Sequence, residues 1–230
     1  MKRTGLFFAD GRYGIINNYI TFLLEDIDAC LDTLIIFIYG GDLSDGEKEK
    51  VSFYADRVVA VPAYNKKSAL RYALTDDMFL ADIICADELV VFDDSFYGPF
   101  IPFADVFNGM SQSKANFWGI SRRAAYHDKG EIVNEYLQRY FMVFRKEIIE
   151  SDAFKSFVEN GSECSVPSRK NDDFDDGLTW FLSNRGFTYV LTSRRFSISL
   201  GLQIFEVSLM PESMGYFVNW YCILLNIWYN

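Results

Sequence analysis

Two adjacent carboxylates directly after a hydrophobic run are the residues of this chain best suited to chemistry. Asp93 and Asp94 follow the apolar segment 88–92 and precede a serine. A carboxylate pair at the end of a buried strand would suit a hard cation, because Mg²⁺ takes one or two protein carboxylates and leaves other positions to substrate phosphates. The alternative is structural, since Asp and Ser also cap turns and the Gly98-Pro99 dipeptide favours a turn here.

The other residue types that commonly carry chemistry offer less. His127, the one histidine, could act as an acid–base group near neutral pH, but the polar turn around it favours an exposed loop position. The four cysteines lie far apart without a Cys-x-x-Cys pair, so they lack the close spacing of a zinc site. We expect reduced thiols in an intracellular protein.

The elements that would position these residues are strands and helices in alternation. Four apolar runs in the first hundred residues predict strands, and the segments between them have helical spacing. Such repeated units favour a mostly parallel sheet with flanking helices, where ligands bind beyond the carboxyl ends of the strands. We therefore expect Asp10 and the Asp93–Asp94 pair to lie at one edge of the sheet. The predicted strands are residues 6–9, 33–39, 57–63 and 88–92, and the predicted helices are residues 15–31, 44–55 and 68–80.

After residue 100 the pattern becomes mixed. Helical spacing recurs in three segments, and three apolar runs between them predict further strands. A glycine at position 186 would end the last helix. The predicted helices are residues 103–110, 146–159 and 172–184, and the predicted strands are residues 116–121, 137–144 and 188–192.

The composition excludes some classes of function. The net charge is −10 and the basic residues are scattered, so we expect no binding of nucleic acid, which needs clustered cations. An acidic chain still binds a nucleotide when backbone N–H groups and a divalent metal offset the phosphate charge. No apolar run reaches the roughly 20 residues that span a bilayer, and the N-terminal run is too short for a signal peptide, so we expect a cytoplasmic protein.

The C-terminal segment 215–230 is strongly apolar and aromatic. It is too short to span a membrane but could lie at a membrane surface. Because it contains no Lys or Arg, electrostatic attraction to anionic lipids is absent, and this favours packing in the core or against a second subunit.

Several motifs in order resemble those of the rhamnan synthesis F family. Residues 91–100, Val-Phe-Asp-Asp-Ser-Phe-Tyr-Gly-Pro-Phe, resemble its hydrophobic-Asn-Asp-Ser-x-Tyr-Gly-Pro motif. Residues 116–120 (Asn-Phe-Trp-Gly-Ile) are similar to its Asp-Phe-Trp-Gly-Leu, and residues 136–144 to its His-Leu-Gln-Ser-Tyr-Phe segment. Residues 175–179, Asp-Asp-Gly-Leu-Thr, resemble its acidic-x-Gly-Leu-Thr element, and the match covers about residues 5–192.

The resemblance implies a Rossmann-like α/β fold of the GT-A glycosyltransferase type, with a mostly parallel central sheet and flanking helices. It also implies transfer of a sugar, with rhamnose as the family's sugar, from a nucleotide diphosphate to a cell-surface polysaccharide or O-antigen. We therefore expect a single domain, residues 1–230. Its nucleotide-binding half would be residues 1–100, its acceptor and catalytic half residues 101–192, and a C-terminal extension residues 193–230.

The resemblance also suggests roles for individual residues. Asp94 matches the acidic residue that meets metal and diphosphate, while Asp93, a second metal candidate, stands where an Asn is usual. Asp175, with Asp176 beside it, matches a carboxylate that removes the acceptor proton; the alternative is that acidic residues favour a helix N-terminus there. The expected cofactor is Mn²⁺ or Mg²⁺. The residues expected to bind the nucleotide sugar are Ala9, Asp10, Asn65, Asp93, Ser95, Tyr97, Gly98, Pro99, Trp118, Gly119 and Gln138.

One segment departs from the family pattern and supports an alternative. The family's Asn-x-Gly-x-Asp after the third strand is Asn65-Lys66-Lys67-Ser68-Ala69 here, which loses a flexible glycine and a carboxylate acceptor. The alternative function is a catalytically inactive sugar-nucleotide-binding or scaffold domain of a polysaccharide-assembly complex. The expected partners are a nucleotide-sugar donor and a glycan or lipid-linked glycan acceptor, with membrane or subunit contact through residues 215–230. This places the protein at the inner face of the cell membrane.

Overall fold

The computed structural model describes residues 1–128, 130–160 and 174–192 of the chain. The extension 193–230, including the apolar segment 215–230, lies outside the described residues. The strands are β1 (Arg3–Asp10), β2 (Thr33–Tyr39), β3 (Arg57–Ala60), β4 (Glu88–Asp93), β5 (Phe117–Gly119), β6 (Arg122–Arg123), β7 (Tyr126–Asp128), β8 (Glu131–Val133), β9 (Tyr136–Leu137), β10 (Phe141–Arg145) and β11 (Tyr189–Leu191).

The helices alternate with these strands, and a 3₁₀ turn, Gly11–Tyr13, follows β1. They are α1 (Asn18–Asp28), α2 (Asp45–Ser52), α3 (Lys66–Thr75), α4 (Asp77–Ile84), α5 (Phe103–Met110), α6 (Lys146–Ile149), α7 (Asp152–Asn160) and α8 (Phe174–Ser183). None of the helices in the described part of the chain is both long and apolar enough to cross a membrane.

The central sheet has seven strands in the described residues, in the order β11-β5-β10-β4-β1-β2-β3. β1 to β4 pair in parallel, as do β5 and β11, while β10 is antiparallel to both of its neighbours. The carboxyl ends of β1, β2, β3 and β4 therefore all lie at one edge of the sheet. The prediction of a mostly parallel α/β sheet is confirmed. The small pairs β6–β9 and β7–β8 lie outside this sheet.

Both faces of the sheet are covered because its strands carry large apolar side chains in alternation. In β1, Leu6 and Phe8 point into one core, which α3, α4, α6, α7 and α8 complete. Phe7 and Ala9 point into a second core, built with α1, α2 and α5. A continuous apolar strand such as β2 fits only between two such layers.

Several predicted elements are divided in the structure. The helix predicted at residues 68–80 is two helices, because the carboxylate of Asp76 accepts the Met78 N–H (2.9 Å) and starts α4. The helix predicted at residues 146–159 is likewise two, since the Ser151 hydroxyl accepts the Phe154 N–H (3.1 Å) at the start of α7. The strand predicted at residues 137–144 is β9 and β10, with a turn at residues 138–140 between them.

The loops after β1 and β2 approach each other backbone to backbone. A Cβ atom added to Gly11 would lie 2.9 Å from the Gly41 carbonyl carbon and 2.6 Å from Ile38 Cγ2. A Cβ atom on Gly41 would lie 2.6 Å from the Gly11 carbonyl oxygen. Only glycines fit this contact, which draws the two loops together at the carboxyl edge of the sheet.

Candidate functional site

The candidate site lies at the carboxyl ends of β1, β2 and β4. The backbone N–H of Asp10, the last residue of β1, donates to Oδ2 of Asp94 (2.9 Å), just beyond β4. Tyr39 ends β2 and pairs in register with Asp10. The sequence predicted that Asp10 and the 93–94 pair share one edge of the sheet, and the parallel register brings them together as expected.

Asp93 is buried and fully engaged by donors of the protein. Its Oδ1 accepts the Ser95 N–H (2.9 Å) and the Ser95 hydroxyl, and its Oδ2 forms an ion pair with the ammonium of Lys66. The Asp93 N–H donates to the carbonyl of Tyr140 (3.1 Å). Both carboxylate oxygens of Asp93 therefore already have partners on the protein, and Ser95, a predicted ligand residue, holds Asp93 in place.

Asp94 is half-buried, and its negative charge has fewer partners on the protein than that of Asp93. Burial raises the pKa of its carboxyl to about 6, and repulsion from Asp93 and Asp10 adds to the rise. The hydrogen bond from the Asp10 N–H and the ammonium of Lys66 act in the opposite direction. Among the described residues no donor hydrogen-bonds to Oδ1 of Asp94, so one oxygen of this carboxylate is open to a ligand.

Two tyrosines border this carboxylate cluster. The Tyr19 hydroxyl donates to the backbone carbonyl of Asp94 (2.6 Å), and its pKa is raised to about 12 by burial and by Asp94. Burial and the carboxylates Asp94, Asp10 and Asp93 also raise the pKa of Tyr39. Both hydroxyls therefore stay protonated at neutral pH and can serve as hydrogen-bond donors.

The loop after β4 carries, besides Ser95, three more of the predicted ligand residues. Tyr97 is half-exposed and its ring packs 4.4 Å, centre to centre, from that of Tyr19. Gly98 and Pro99 follow it, joined by a cis peptide bond. The contact with Tyr19, whose hydroxyl donates to the Asp94 carbonyl, holds this loop beside Asp94.

Gln138 lies in the turn between β9 and β10 and has a defined orientation. Its side-chain carbonyl accepts the hydroxyls of Ser121 (2.6 Å) and Tyr140 (3.0 Å). The Tyr140 ring stacks on Phe96, 5.5 Å away, in the loop after β4. These contacts connect the predicted acceptor half to the Asp93–Asp94 loop.

Four predicted ligand residues have structural roles: three of them are buried, and the exposed Asn65 caps a helix. The Asn65 side chain accepts the Ser68 N–H (2.9 Å) and caps α3 in a reciprocal capping box. Trp118 is fully buried, with its ring near those of Phe107 and Phe141, and Gly119 packs closely against the Phe141 carbonyl. Ala9 is buried in the core as well.

Helix α8 begins at Phe174, so Asp175 and Asp176 stand in its first turn, although their side chains lie outside what the structure describes. β11 follows α8 and runs parallel to β5, and β5 and β4 are both antiparallel to β10. The chain therefore enters α8 at the same edge as Asp94. One turn later, Thr179 accepts the Leu137 N–H (3.2 Å), next to Gln138.

Lys66, like Tyr19 and Tyr39, is a residue of this site that the sequence did not single out. It is buried at the start of α3, and its ammonium also donates to the Arg139 carbonyl (2.9 Å). A faint signal was present, because Lys66 and Lys67 stand together where a helix begins and the helix dipole disfavours cations. Such a placement indicates that a nearby carboxylate compensates the charge.

The donor set fits a divalent ion that substrate helps to hold. In the described residues no three or more His, Cys, Asp or Glu side chains cluster as a complete metal site. Asp94 offers an open carboxylate oxygen, whereas both oxygens of Asp93 are engaged. Mg²⁺ commonly binds one or two carboxylates together with substrate phosphates, and this arrangement suits that mode.

An apolar cavity of about 250 Å³ lies away from these residues, between α4, α7 and the C-terminal end of α3. Because α3 starts at the carboxyl edge with Lys66, the cavity is toward the opposite edge of the sheet. Lys155 is the one ionisable side chain among its lining residues. The cavity therefore offers little for catalysis, and the carboxyl edge remains the candidate site.

Comparisons with known proteins give a family and a fold. The family model described as rhamnan synthesis protein F matches residues 35–202. No curated protein matches the sequence. Among solved structures, 4-diphosphocytidyl-2C-methyl-D-erythritol synthase from Anaerococcus prevotii is 13% identical with a TM-score of 0.50, and the match covers 83% of this chain and 87% of that one.

Two further structures are less similar. A cytidylyltransferase from Leptospira borgpetersenii is 13% identical, with a TM-score of 0.42 and coverage of 82% and 74%. Glucosyl-3-phosphoglycerate synthase from Mycobacterium tuberculosis, in complex with Mn²⁺, uridine diphosphate and glucosyl-3-phosphoglycerate, is 14% identical with a TM-score of 0.41. That match covers 64% of this chain and 57% of the synthase.

The observed sheet and the first of these likenesses confirm the predicted Rossmann-like α/β fold of the GT-A type. The identities are too low to carry more than the fold. The family match, in contrast, extends over well more than half of the sequence and includes β4, the Asp93–Asp94 loop and α8. This chain belongs to the rhamnan synthesis protein F family.

Proposed function

We propose that this protein is a glycosyltransferase that moves a sugar from a nucleotide-diphosphate donor to a cell-surface polysaccharide or O-antigen acceptor. Family membership supports the reaction class, and the family's description suggests rhamnose as the sugar. The observation that carries the proposal is Asp94, a half-buried carboxylate with an open oxygen at the carboxyl edge of the sheet. Ligands of open α/β sheets bind at that edge.

On the donor side, Asp94 would hold Mn²⁺ or Mg²⁺ together with the diphosphate of the nucleotide sugar. A bound divalent ion supplies Lewis-acid stabilisation of the negative charge on a departing diphosphate. The Asp10 N–H fixes the orientation of Asp94, and the Tyr19 hydroxyl fixes the backbone that carries it. Ser95 holds Asp93, and the loop with Tyr97 would lie beneath the sugar.

On the acceptor side, Asp175 is the proposed general base and Asp176 the second candidate. An attacking sugar hydroxyl must lose a proton, and a positioned carboxylate accepts it as the bond forms. The start of α8 at the same edge as Asp94 supports this assignment. Gln138, with its carbonyl oxygen engaged by two hydroxyls, would present its amide N–H groups to an acceptor or donor sugar.

The second candidate function is an inactive sugar-nucleotide-binding or scaffold domain. The altered segment after β3 favours it, because Ala69 is fully buried where the family has an Asp and Asn65 is used to cap α3. In either function the proposed partners include a glycan or lipid-linked glycan. The proposal puts the protein in the cytoplasm, at the inner face of the membrane.

A thermal-shift panel tests donor binding. The parent protein, Asp94→Ala and the exposed-site control Asp105→Ala are each melted with UDP-, dTDP-, GDP- and CDP-linked sugars. Each ligand is tested with Mn²⁺, with Mg²⁺ and with chelator. A ligand that binds only the folded state stabilises it by about 2.7 kcal/mol at a hundred times its dissociation constant. We expect a metal-dependent rise in Tm for the parent and the Asp105 variant, and none for Asp94→Ala.

Product formation then separates the two candidate functions. A donor that binds and is consumed faster when acceptor is present supports the transferase. A donor that binds in the same metal-dependent way but is neither transferred nor hydrolysed supports the inactive domain. If Asp94→Ala binds donor and metal as the parent does, the assignment of Asp94 is wrong.

A further inference from the structure

A buried ion pair lies directly beside the carboxylate that would hold the metal. The side chains of Lys66 and Asp93 are 8% and 4% exposed, and the Lys66 ammonium contacts Oδ2 of Asp93. The other oxygen of Asp93 accepts two hydrogen bonds from Ser95. A divalent ion at Asp93 would compete with these donors for the carboxylate oxygens and would be repelled by the Lys66 ammonium.

The position of Lys66 is fixed from several sides. Asn65 and Ser68 form the reciprocal cap that sets the first turn of α3, where Lys66 stands. The ammonium bridges the end of β4, at Asp93, and the turn before β10, at the Arg139 carbonyl (2.9 Å). Lys66 thus joins three segments that are distant in sequence, and its charge is held at the site.

The charges at the site explain what such a lysine does. Asp10, Asp93 and Asp94 lie close enough for Asp93 and Asp10 to raise the pKa of Asp94, while Lys66 opposes the rise. Without a buried cation, the two adjacent carboxylates would offer a free divalent ion two protein ligands and a higher local negative charge. With Lys66 in place, Asp93 is neutralised and one open carboxylate remains.

We propose that Lys66 is a resident cation that withholds Asp93 from the metal, so that the divalent ion is held by Asp94 together with the phosphates of the nucleotide. This inference rests on the proposed metal-dependent binding of a nucleotide. Metal without nucleotide would then bind weakly, and nucleotide and metal would each raise the affinity for the other by the same factor. Lys66 acts through Asp93 and is a positioning residue.

Metal titrations of the nucleotide-free protein test the inference. Mn²⁺ binding is measured from the electron paramagnetic resonance signal of the free ion, for the parent, Lys66→Met and Lys67→Met. Met is unbranched like Lys and one atom shorter, without its charge, and Lys67→Met removes the same charge one residue away. Because Lys66→Met frees a carboxylate and removes a nearby positive charge, we expect its Mn²⁺ affinity to rise about tenfold or more. The Lys67 variant should stay near the parental affinity.

A double variant checks the route of the effect. Lys66→Met combined with Asp93→Asn again leaves Asp94 as the single open carboxylate, so its Mn²⁺ affinity should return to within about threefold of the parental value. Equal affinities of the parent and Lys66→Met would overturn the inference. So would a gain that persists in the double variant, because the metal would then not use Asp93.

Stability is the second readout, since Lys66→Met leaves Asp93 buried without its partner and lowers Tm. Mn²⁺ should restore the Tm of this variant at concentrations that leave the parent unchanged, and a variant that Mn²⁺ does not rescue contradicts the inference. UDP, dTDP, GDP and CDP with Mn²⁺ are added to the parent in parallel. If none binds the parent, the proposed function fails, whatever the Lys66 variant does with Mn²⁺ alone.

Discussion

The two ends of strand β4 carry buried carboxylates in opposite electrostatic situations. At the amino end, Glu88 is 2% exposed and pairs with two guanidinium groups, Arg3 (2.8 Å) and Arg145 (3.5 Å). At the carboxyl end, Asp93 and Asp94 lie near a third carboxylate, Asp10. The buried cation there is Lys66, and the other charged partner, Arg12, is exposed and pairs with Asp10.

The difference separates a structural pair from a functional site on one strand. A buried carboxylate with two cations has no charge left for a ligand, and it fixes the strand ends that it joins. The carboxyl end instead has three carboxylates, Asp10, Asp93 and Asp94, against two cations, Lys66 and Arg12, so negative charge remains in excess. The raised pKa of Asp94 comes mainly from burial, and repulsion from Asp93 and Asp10 adds to it. We interpret the amino end as fastening the sheet and the carboxyl end as prepared for a cation that substrate brings.

The largest expected effect concerns Asp175. As the proposed general base, it would be one more functional carboxylate at the carboxyl edge of the sheet. Asp175→Asn removes a base and, in the first turn of α8, otherwise only a favourable interaction with the helix dipole, so transfer should slow by about 10²–10⁴-fold. Donor binding and Tm should change little. Steady-state transfer rates, donor-induced thermal shifts and melting curves measure the three quantities.

The matched control is Asp152→Asn, the same substitution in the first turn of α7. It removes only a favourable interaction with the helix dipole, which is worth about 0.3–1 kcal/mol. Near-parental turnover by Asp175→Asn would exclude the base role. Asp176 would then be the next candidate, and the comparison between the two ends would rest on Asp94 alone.

The next effect concerns the amino end. Glu88→Gln leaves the guanidinium groups of Arg3 and Arg145 without their anion, which should lower the free energy of unfolding by about 3 kcal/mol. Nucleotide binding should be unchanged in the folded protein. Urea unfolding checks the loss, with Glu135→Gln as the control because its pair with Arg122 is largely exposed and is worth at most about 1 kcal/mol. A loss no greater than that of the control would mean that Glu88 does not fasten the sheet.

The parallel half of the fold could be predicted from the sequence because its strands are buried on both faces. Residues 33–39 form one apolar run, and β2 has those bounds. The same pattern of buried parallel strands predicted that Asp10 and Asp94 lie at one edge of the sheet. The division of predicted helices into two could not be predicted from the sequence. A side chain such as Asp76 starts a new helix within an apolar repeat that continues across it.

The site's charge balance depends on contacts distant in sequence. Lys66 and Asp93 pair only because the first turn of α3 lies next to the carboxyl end of β4, and local periodicity contains no information on that contact. Trp118 has the amphipathic side chain of a sugar-stacking residue, yet tertiary packing with Phe107 and Phe141 buries it. A motif therefore located the site, while the roles of its members required the fold.

The smallest expected effect is also the sharpest test of the contrast between the two ends. Asp94→Asn makes the same acid-to-amide change as Glu88→Gln, but at the carboxyl end, and it should raise stability in metal-free protein at pH 7. The folded pKa of Asp94 is raised to about 6 from an ordinary value of 3.8, so its protonated form favours folding below the ordinary value, and that stability is lost as pH rises through 6. Asn removes the cost of the charged form, a gain of about 1–2 kcal/mol at pH 7 after allowing for partial exposure. The gain should shrink toward zero near pH 4, where Asp94 is protonated in the folded state. Melting curves of the parent, Asp94→Asn and the exposed control Asp105→Asn at pH 7 and pH 4, all with chelator, measure it. A destabilised Asp94→Asn at pH 7 would show that Asp94, like Glu88, is held by compensating charge, and the distinction between the two ends of β4 would be lost.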